Sequence, residues 1–292
     1  MTRPAWALAL CLLLAPTSAP AVTVVDQTGR PLELPALPRR IVSLVPSVTE
    51  DLYAIGAQEA LVGVTDFCDY PPQARGKTRV GDMLAPNLET LVRLKPDLVV
   101  ATRSGNAKET FVQLSRLGIP VYLVDPVSVA DVLRLIAGMG DLTGRRDAAT
   151  AVAAALERRL AAVRERVEGR PRPRVLYVLW PEPLIVPGGG SLVSELIALA
   201  GGLSVTADQG PGYPRMSLEA AVGRAPEVII LARHGGSARP AALPQWQRLE
   251  SLPAIKGGRL YAVDGNLLHR YGPRVADGLE SIARLLHPEA FP

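Results

Sequence analysis

The chain contains an internal repeat. Residues 87–100 carry the motifs NLETLV and PDLVV, and residues 217–230 carry the similar motifs SLEAAV and PEVII. The offset between the two copies stays constant at about 130 residues, as expected of a true internal repeat. A second pair follows, because residues 120–125 (PVYLVD) resemble residues 259–264 (RLYAVD). Two similar half-chains predict two similar lobes, and a cleft between lobes is a preferred place for a small ligand.

Length and charge narrow the class of protein. The chain has 292 residues, enough for two domains of ordinary size, and 48% of them are hydrophobic, which provides a large core. The formal net charge of +4 is modest, and no basic run of the kind that follows a phosphate backbone is present. The sequence therefore argues against nucleic-acid binding.

The first residues read as an export signal. Arg3 provides a positive n-region, residues 5–15 form an apolar run too short to span a membrane, and residues 19–21 (APA) form a small-x-small cleavage site. Cys11 lies among leucines in that run, which is a poor context for lipid attachment. We predict cleavage near Ala21 and a periplasmic protein; the alternative is a simple membrane anchor.

Strand patterns alternate with helix patterns on both sides of one long helical segment. This alternation predicts an α/β fold with central parallel sheets and helical crossovers. Residues 147–167 contain no Pro or Gly and place apolar side chains three or four positions apart, which predicts a stiff helix of roughly 20 residues and about 30 Å. The predicted division is a signal peptide (1–21), an N-terminal lobe (22–129), a connecting helical segment (130–170) and a C-terminal lobe (171–292).

Two helix starts in the first lobe carry capping patterns. Ser47 is followed three residues later by Glu50, which predicts a capping box at the first helix. Asn87 is the predicted cap of a second helix, which ends before Pro96.

No catalytic motif is evident in the sequence, which leaves a Ser-His-Asp arrangement open but gives no sign of one. It has neither a phosphate-binding loop nor a G-x-S-x-G nucleophile elbow. His234, His269 and His287 lack metal-ligand spacing, and Cys68 is the one cysteine left after signal cleavage, so no internal disulfide or structural metal is expected. The segment 188–191 (GGGS) allows either an anion site or a plain loop with a serine cap. We predict a protein that is not an enzyme, with a secreted enzyme as the remote alternative.

The few aromatic residues gather in loops, several of which follow predicted strands. In doubly wound lobes, ligands bind at the loops that leave the carboxyl ends of strands. Aromatic faces there suit a flat or bulky ligand, and Arg270 and Arg274 could neutralise its acidic groups. The alternative is that the aromatics cap the cores of the lobes. The set comprises Phe67, Tyr70, Trp180, Tyr213 and Tyr271.

Several motifs are specific for one superfamily. They are RIVSLVPSVTE (40–50), LVGVTD (61–66), DYPP (69–72), NLE (87–89), LKPDLV (94–99) and LGIPV (117–121). In these motifs the chain resembles the vitamin B12-binding periplasmic proteins of ABC importers, within the superfamily that also binds haem and iron-siderophores. The resemblance covers nearly the whole mature chain, and it is more specific for the superfamily than for the ligand.

The resemblance implies two Rossmann-like lobes that are joined by one rigid helix and enclose a ligand cleft. It also implies a monomer that delivers its ligand to a permease dimer with ATPase subunits. In the family, one Glu at the top of each lobe docks onto permease arginines, and Glu89 and Glu219 match those positions. Each lies in the first turn of a predicted helix, where a carboxylate contributes about 0.3–1 kcal/mol, so a purely helix-stabilising role is the alternative.

The resemblance also implies ligand contacts. Family B12 binders use an aromatic residue in the loop of Phe67 and Tyr70, another matched by Tyr213, and an arginine matched by Arg270. They also use a tryptophan shortly before the NLE motif, where this chain has Met83 or Leu84.

A second tryptophan of the family is replaced by Thr102, which Arg103 follows. These two losses leave either a corrinoid or another tetrapyrrole as the ligand. His269 is a candidate axial ligand, because neutral imidazole ligates cobalt or iron and haem-binding relatives use Tyr or His; the alternative is a surface histidine. We predict capture of cobalamin or a related corrinoid, with haem or a ferric siderophore as the alternative and no enzymatic cofactor. The predicted ligand contacts are Phe67, Tyr70, Met83, Arg103, Trp180, Tyr213, His269, Arg270 and Tyr271.

Overall fold

The structure is a computed structural model that describes residues 22–234 and 243–291. The predicted signal peptide (1–21) lies outside the described residues. Among the residues that are described, no helix combines the length and apolar character needed to cross a membrane.

An antiparallel hairpin precedes the first lobe. It consists of β1 (Val22–Val25) and β2 (Pro31–Leu34), and Tyr122 donates its hydroxyl to the carbonyl of Val25 at 3.2 Å. This hydrogen bond ties the hairpin to the first lobe.

The first lobe is built on five parallel strands whose residues are mostly buried, as expected of a sheet covered on both faces. They are β3 (Ile41–Ser43), β4 (Leu61–Val64), β5 (Thr78–Arg79), β6 (Leu98–Thr102) and β7 (Val121–Val124). Their spatial order is β5-β4-β3-β6-β7.

The helices of this lobe are α1 (Pro46–Ala54), α2 (Leu88–Arg93) and α3 (Lys108–Arg116). Asn87 caps α2 as predicted, because its Oδ1 accepts the Thr90 N–H at 2.9 Å. The capping box predicted at Ser47 is wrong. The helix already begins at Pro46, a residue whose fixed φ suits the first helical position, and its N-cap makes no side-chain bond. Glu50 is engaged elsewhere, as described below.

Two packed helices connect the lobes. They are α4 (Val129–Thr143) and α5 (Arg146–Val167), a helix of 22 residues. A capping box that was not predicted begins α4, where the Ser128 and Asp131 side chains each accept the other residue's backbone N–H. One hydrophobic core runs from Leu52 in the first lobe through Leu156 of α5 to residues of the second lobe. Both lobes therefore pack against the connection.

The second lobe has four parallel strands in the order β11-β8-β12-β13, and a short antiparallel ribbon of β9 with β10. The strands are β8 (Arg174–Val178), β9 (Trp180–Pro181), β10 (Leu184–Ile185), β11 (Leu203–Ser204), β12 (Val228–Arg233) and β13 (Leu260–Asp264). The helices are α6 (Leu192–Leu199), α7 (Leu218–Gly223), α8 (Leu243–Gln247), α9 (Pro253–Lys256), α10 (Asn266–His269) and α11 (Val275–Leu286).

The sequence repeat corresponds to a structural repeat. Its copies form α2 with β6 in one lobe and α7 with β12 in the other, and the second pair of segments forms β7 and β13. The neighbours β3-β6-β7 thus correspond to β8-β12-β13. This arrangement confirms the predicted α/β fold with two lobes.

Candidate functional site

Loops from the carboxyl ends of both sheets meet at the junction between the lobes. Asp69 follows β4 and Arg270 follows β13, and the Arg270 guanidinium donates to Asp69 Oδ1 at 2.6 Å. Close by, a Cβ placed on Gly272 would lie 3.2 Å from the Cβ of Ser47 in α1. Because α/β folds bind ligands at this edge of their sheets, the junction is the candidate ligand site.

Exposed apolar side chains lie at this edge in both lobes. Phe67 is 51% exposed, Tyr70 43% and Trp180 44%, although aromatic side chains usually bury more of their surface. Leu84 is 62% exposed, whereas Met83 is half-buried and its carbonyl accepts the Asn106 amide at 2.6 Å. Of the two residues at the missing tryptophan position, Leu84 therefore presents the larger apolar surface, and Met83 supports the loop after β6.

A ladder of rings extends from Trp180 into the second lobe. The ring of His234, which follows β12, lies 5.2 Å from the Trp180 ring and stacks on His269 at 5.4 Å. The His234 Nε2 lies 2.7 Å from the carbonyl of Leu179, which fixes the ring. The sequence pattern alone does not assign His234 to the site. Its position directly after a strand is the signal that could have identified it.

His269 forms the inner step of this ladder. Its Nε2 is 2.8 Å from the Tyr177 hydroxyl, and its Nδ1 lies close to Gly265. Burial, together with the charge of His234, lowers the pKa of His269 to about 3, so the ring is neutral. An axial bond to a ligand metal through Nε2 would require the loss of the Tyr177 hydrogen bond. The axial role of His269 stays a prediction.

Tyr213 and Tyr271 support the site from within the second lobe. Their hydroxyl groups hydrogen-bond to each other, and both rings pack against the main hydrophobic core. Burial raises the pKa of both hydroxyls, so they stay protonated. This arrangement corresponds to the core-capping alternative, and it leaves the two hydroxyls paired with each other.

A cluster of ionised groups joins the lobes at the junction. Glu50 of α1 accepts two hydrogen bonds of 2.7 Å from Arg274, and it also lies 3.4 Å from Arg270. The Arg274 guanidinium lies over the Tyr70 ring at 3.9 Å. Burial alone would raise the pKa of Asp69, but the hydrogen bond and charge of Arg270 outweigh it and hold that pKa below its ordinary value.

The predicted cleft arginines are therefore all paired with carboxylates. Arg270 contacts Asp69 and Glu50, Arg274 contacts Glu50, and Arg103 lies 3.6 Å from Asp125. Charge pairing of this kind leaves little positive potential for an acidic ligand, and it favours a ligand without carboxylates.

The segment 188–191 forms a packed loop. A Cβ on Gly188 would lie 1.9 Å from the carbonyl oxygen of Gly210, so only glycine fits there. Ser191 caps α6 by accepting the Ser194 N–H at 3.3 Å. Both observations agree with the plain-loop interpretation. In the parts of the chain that the structure covers, no group of three or more His, Cys, Asp or Glu side chains could hold a metal ion.

The two glutamates predicted to dock occupy equivalent places in the lobes. Glu89 lies in the first turn of α2 and Glu219 in the first turn of α7, and both are exposed. Glu89 also lies 3.3 Å from Arg93, four residues further along α2. Gly223 occupies the corresponding position in α7.

Comparison with known proteins agrees with this architecture. The family described as "Periplasmic binding protein" matches residues 41–267. A vitamin B12-binding protein of Vibrio cholerae serotype O1 is 30% identical over 266 residues, 91% of this chain and 95% of that protein. The corresponding protein of Salmonella paratyphi A is 32% identical over 245 residues, 84% of this chain and 88% of that protein.

Solved structures include binders of two ligand types. The periplasmic vitamin B12-binding protein of Vibrio cholerae superposes with a TM-score of 0.76 at 28% identity, covering 88% of this chain and 99% of that chain. A periplasmic haem-binding protein from Pseudomonas aeruginosa superposes with a TM-score of 0.78 at 27% identity, covering 88% of this chain and 95% of that chain. These relatives are binding proteins, which confirms the prediction that the chain is not an enzyme.

Proposed function

The chain belongs to the periplasmic binding protein family, and from that premise we propose that it captures cobalamin or a related corrinoid between its lobes. It then delivers the corrinoid to a permease dimer with ATPase subunits in the membrane. Residues 1–21 act as a signal peptide that is removed on export, which leaves Val22, the first residue of β1, at the mature N-terminus. The curated relatives cited above are vitamin B12-binding proteins, and their similarity supports the corrinoid over other ligands.

The choice of a corrinoid over haem rests on the carboxylate partners of the cleft arginines. Haem bears two propionate carboxylates, which would have to compete with Glu50 and Asp69 for Arg270 and Arg274. Cobalamin has no carboxylate: its corrin ring carries neutral amides, which need hydrogen-bond partners without a free cation, and its one anionic group is the phosphodiester of the nucleotide loop. The exposed faces of Phe67 and Trp180 suit the apolar surface of a macrocycle.

Titration of the mature protein with cyanocobalamin and with haemin tests this proposal. We expect saturable heat at a ratio of one to one with cyanocobalamin, and no shift of the Soret band with haemin. Trp180→Ala should weaken corrinoid binding at least about tenfold, because a few large aromatic side chains contribute most of the binding free energy at such a site. Leu117→Ala, which removes a side chain that is 55% exposed away from the junction, is the matched control.

Two results would overturn the corrinoid assignment. One is the absence of heat with cyanocobalamin, and the other is a Soret shift with haemin that His269→Ala or His234→Ala abolishes. The second result would favour the haem alternative.

Docking onto the permease through Glu89 and Glu219 is the second part of the proposal. The double substitution to alanine should reduce affinity for a vitamin B12 permease–ATPase complex in nanodiscs by about tenfold or more, because each charge meets a cation across an interface. Cyanocobalamin affinity should not change, since both residues lie outside the junction. Unchanged affinity for the importer would leave these glutamates only their role at the helix starts.

A further inference from the structure

The two docking helices end in the same unusual way. After α2 the backbone of Lys95 has φ 46°, and after α7 the backbone of Ala225 has φ 44°. In the described residues these are the two non-glycine positions with positive φ, and each directly precedes a proline. This conformation costs an L-residue about 1–2 kcal/mol, and it persists only where the surrounding contacts impose it.

In the first lobe these contacts come from the residues that precede β3. The Arg40 guanidinium donates to the carbonyl of Leu94 at 3.0 Å through Nε and at 2.7 Å through Nη2, and Nε also lies 3.1 Å from the carbonyl of Lys95. The Asp97 carboxylate accepts the backbone N–H groups of Arg39 and Arg40 at 2.8 and 2.9 Å. The Asp97 N–H in turn donates to the Arg40 carbonyl at 3.0 Å.

The second lobe repeats this arrangement at the start of β8. The Arg174 guanidinium donates to the carbonyl of Arg224, the last residue before Ala225. Glu227 accepts the Arg174 N–H at 2.8 Å and donates its own N–H to the Arg174 carbonyl at 2.8 Å. An arginine and an acid therefore hold the end of the docking helix in both lobes. We call this set of contacts the arginine clamp.

The clamp acts on the end of each helix opposite to the docking glutamate. A guanidinium on the last carbonyls satisfies acceptors that have no partner within the helix, and it neutralises the negative end of the helix dipole. Both α2 and α7 are only six residues long, so contacts at their ends fix their direction. Neither arginine is needed to fill the core, because both are exposed.

We propose that Arg40 and Arg174 are positioning residues for docking: they hold α2 and α7 so that Glu89 and Glu219 stand at the spacing the permease requires. This inference rests on the proposed docking role of the two glutamates. It explains why the strained residue, the proline, the acid and the arginine recur together in both lobes.

The double variant Arg40→Gln/Arg174→Gln tests the inference. Affinity for the vitamin B12 permease–ATPase complex in nanodiscs should fall by about tenfold, while cyanocobalamin affinity stays within about twofold of the wild type. Arg39→Gln is the matched control, because it removes the same charge from the neighbouring residue, which contributes only its backbone N–H to the clamp. Arg40→Lys/Arg174→Lys should restore part of the docking, since lysine keeps the charge but not the fork of donors.

The alanine variant of the two glutamates separates failure of this inference from failure of the proposed docking. If that variant loses docking while Arg40→Gln/Arg174→Gln retains it, the clamp has no positioning role. An equal fall in importer and cyanocobalamin affinity would also overturn the inference, because it would indicate general loss of structure. If the double variant does not fold, Asp97→Asn/Glu227→Gln loosens the same clamp and should weaken docking alone; unchanged docking in that variant would overturn the inference.

Discussion

Replacing Glu50 with alanine should lower the free energy of unfolding by about 3–5 kcal/mol, which is the usual cost of removing one partner of a buried ion pair. The Glu50 side chain is 1% exposed and binds Arg274 through two hydrogen bonds of 2.7 Å. Burial works against the charge of Arg274, but the hydrogen bond and charge of Glu50 outweigh it and raise the pKa of Arg274 above its ordinary value. Alanine would leave that cation at the junction with the Tyr70 ring as its remaining partner.

Urea unfolding of the mature protein measures this loss. Glu59→Ala is the control, because Glu59 is an exposed acid in the turn between α1 and β4. A second variant, Glu50→Leu with Arg274→Met, should lie close to the wild type, since an apolar pair of similar volume often replaces a buried ion pair without loss. If Glu50→Ala costs no more than Glu59→Ala, the pair does not hold the junction.

The fold was largely predictable because its signals are local or repeated. The long helix predicted over 147–167 is α5 (Arg146–Val167), and Asn87 caps α2 as its position before an apolar run indicates. The repeat predicted two similar lobes, and the matching strand orders agree. The β9–β10 ribbon was missed because two residues per strand are too few to show a period.

The contacts of the site were less predictable because they join residues distant in the chain. Glu50 follows Ser47 at the spacing of a capping box, yet its partner Arg274 lies 224 residues away. The hydrogen bond between Tyr213 and Tyr271 joins residues 58 positions apart. Such pairs depend on how the lobes and loops pack. The sequence could therefore place these side chains near the cleft without showing whether they face the ligand or each other.

Asp51 is a buried carboxyl like its neighbour Glu50, but it lacks the ion pair that Glu50 makes. Its side chain is fully buried, and neither carboxylate oxygen has a hydrogen-bond partner among the residues that the structure describes. Burial, and then the charge of Glu50, raise the pKa of Asp51 well above its ordinary value. A buried polar group without a partner costs about 1–3 kcal/mol. Replacing Asp51 with leucine should therefore raise the free energy of unfolding by an amount of that order.

The same carboxyl should make stability depend on pH. In the unfolded chain an aspartate titrates with a pKa of about 3.9. Because the pKa of Asp51 in the folded protein is higher, the folded protein binds more protons than the unfolded chain between the two values. The free energy of unfolding therefore falls as pH rises through that window. Below the unfolded pKa, Asp51 is protonated in both states, so its ionisation destabilises neither.

Urea unfolding at several pH values from about 4.5 to 7.5, all of them above the unfolded pKa, measures this dependence. The difference in free energy of unfolding between the wild type and Asp51→Asn should move in favour of the variant as pH rises, because asparagine cannot ionise. Asp66→Asn, which changes an exposed aspartate in the loop after β4, should follow the wild type. If the free energies of unfolding of the wild type and Asp51→Asn changed in parallel with pH, the pKa of Asp51 would not be raised on folding. The carboxylate would then have a hydrogen-bond partner in solution. Asp51→Leu would then destabilise the protein, because that partner would lose its bond.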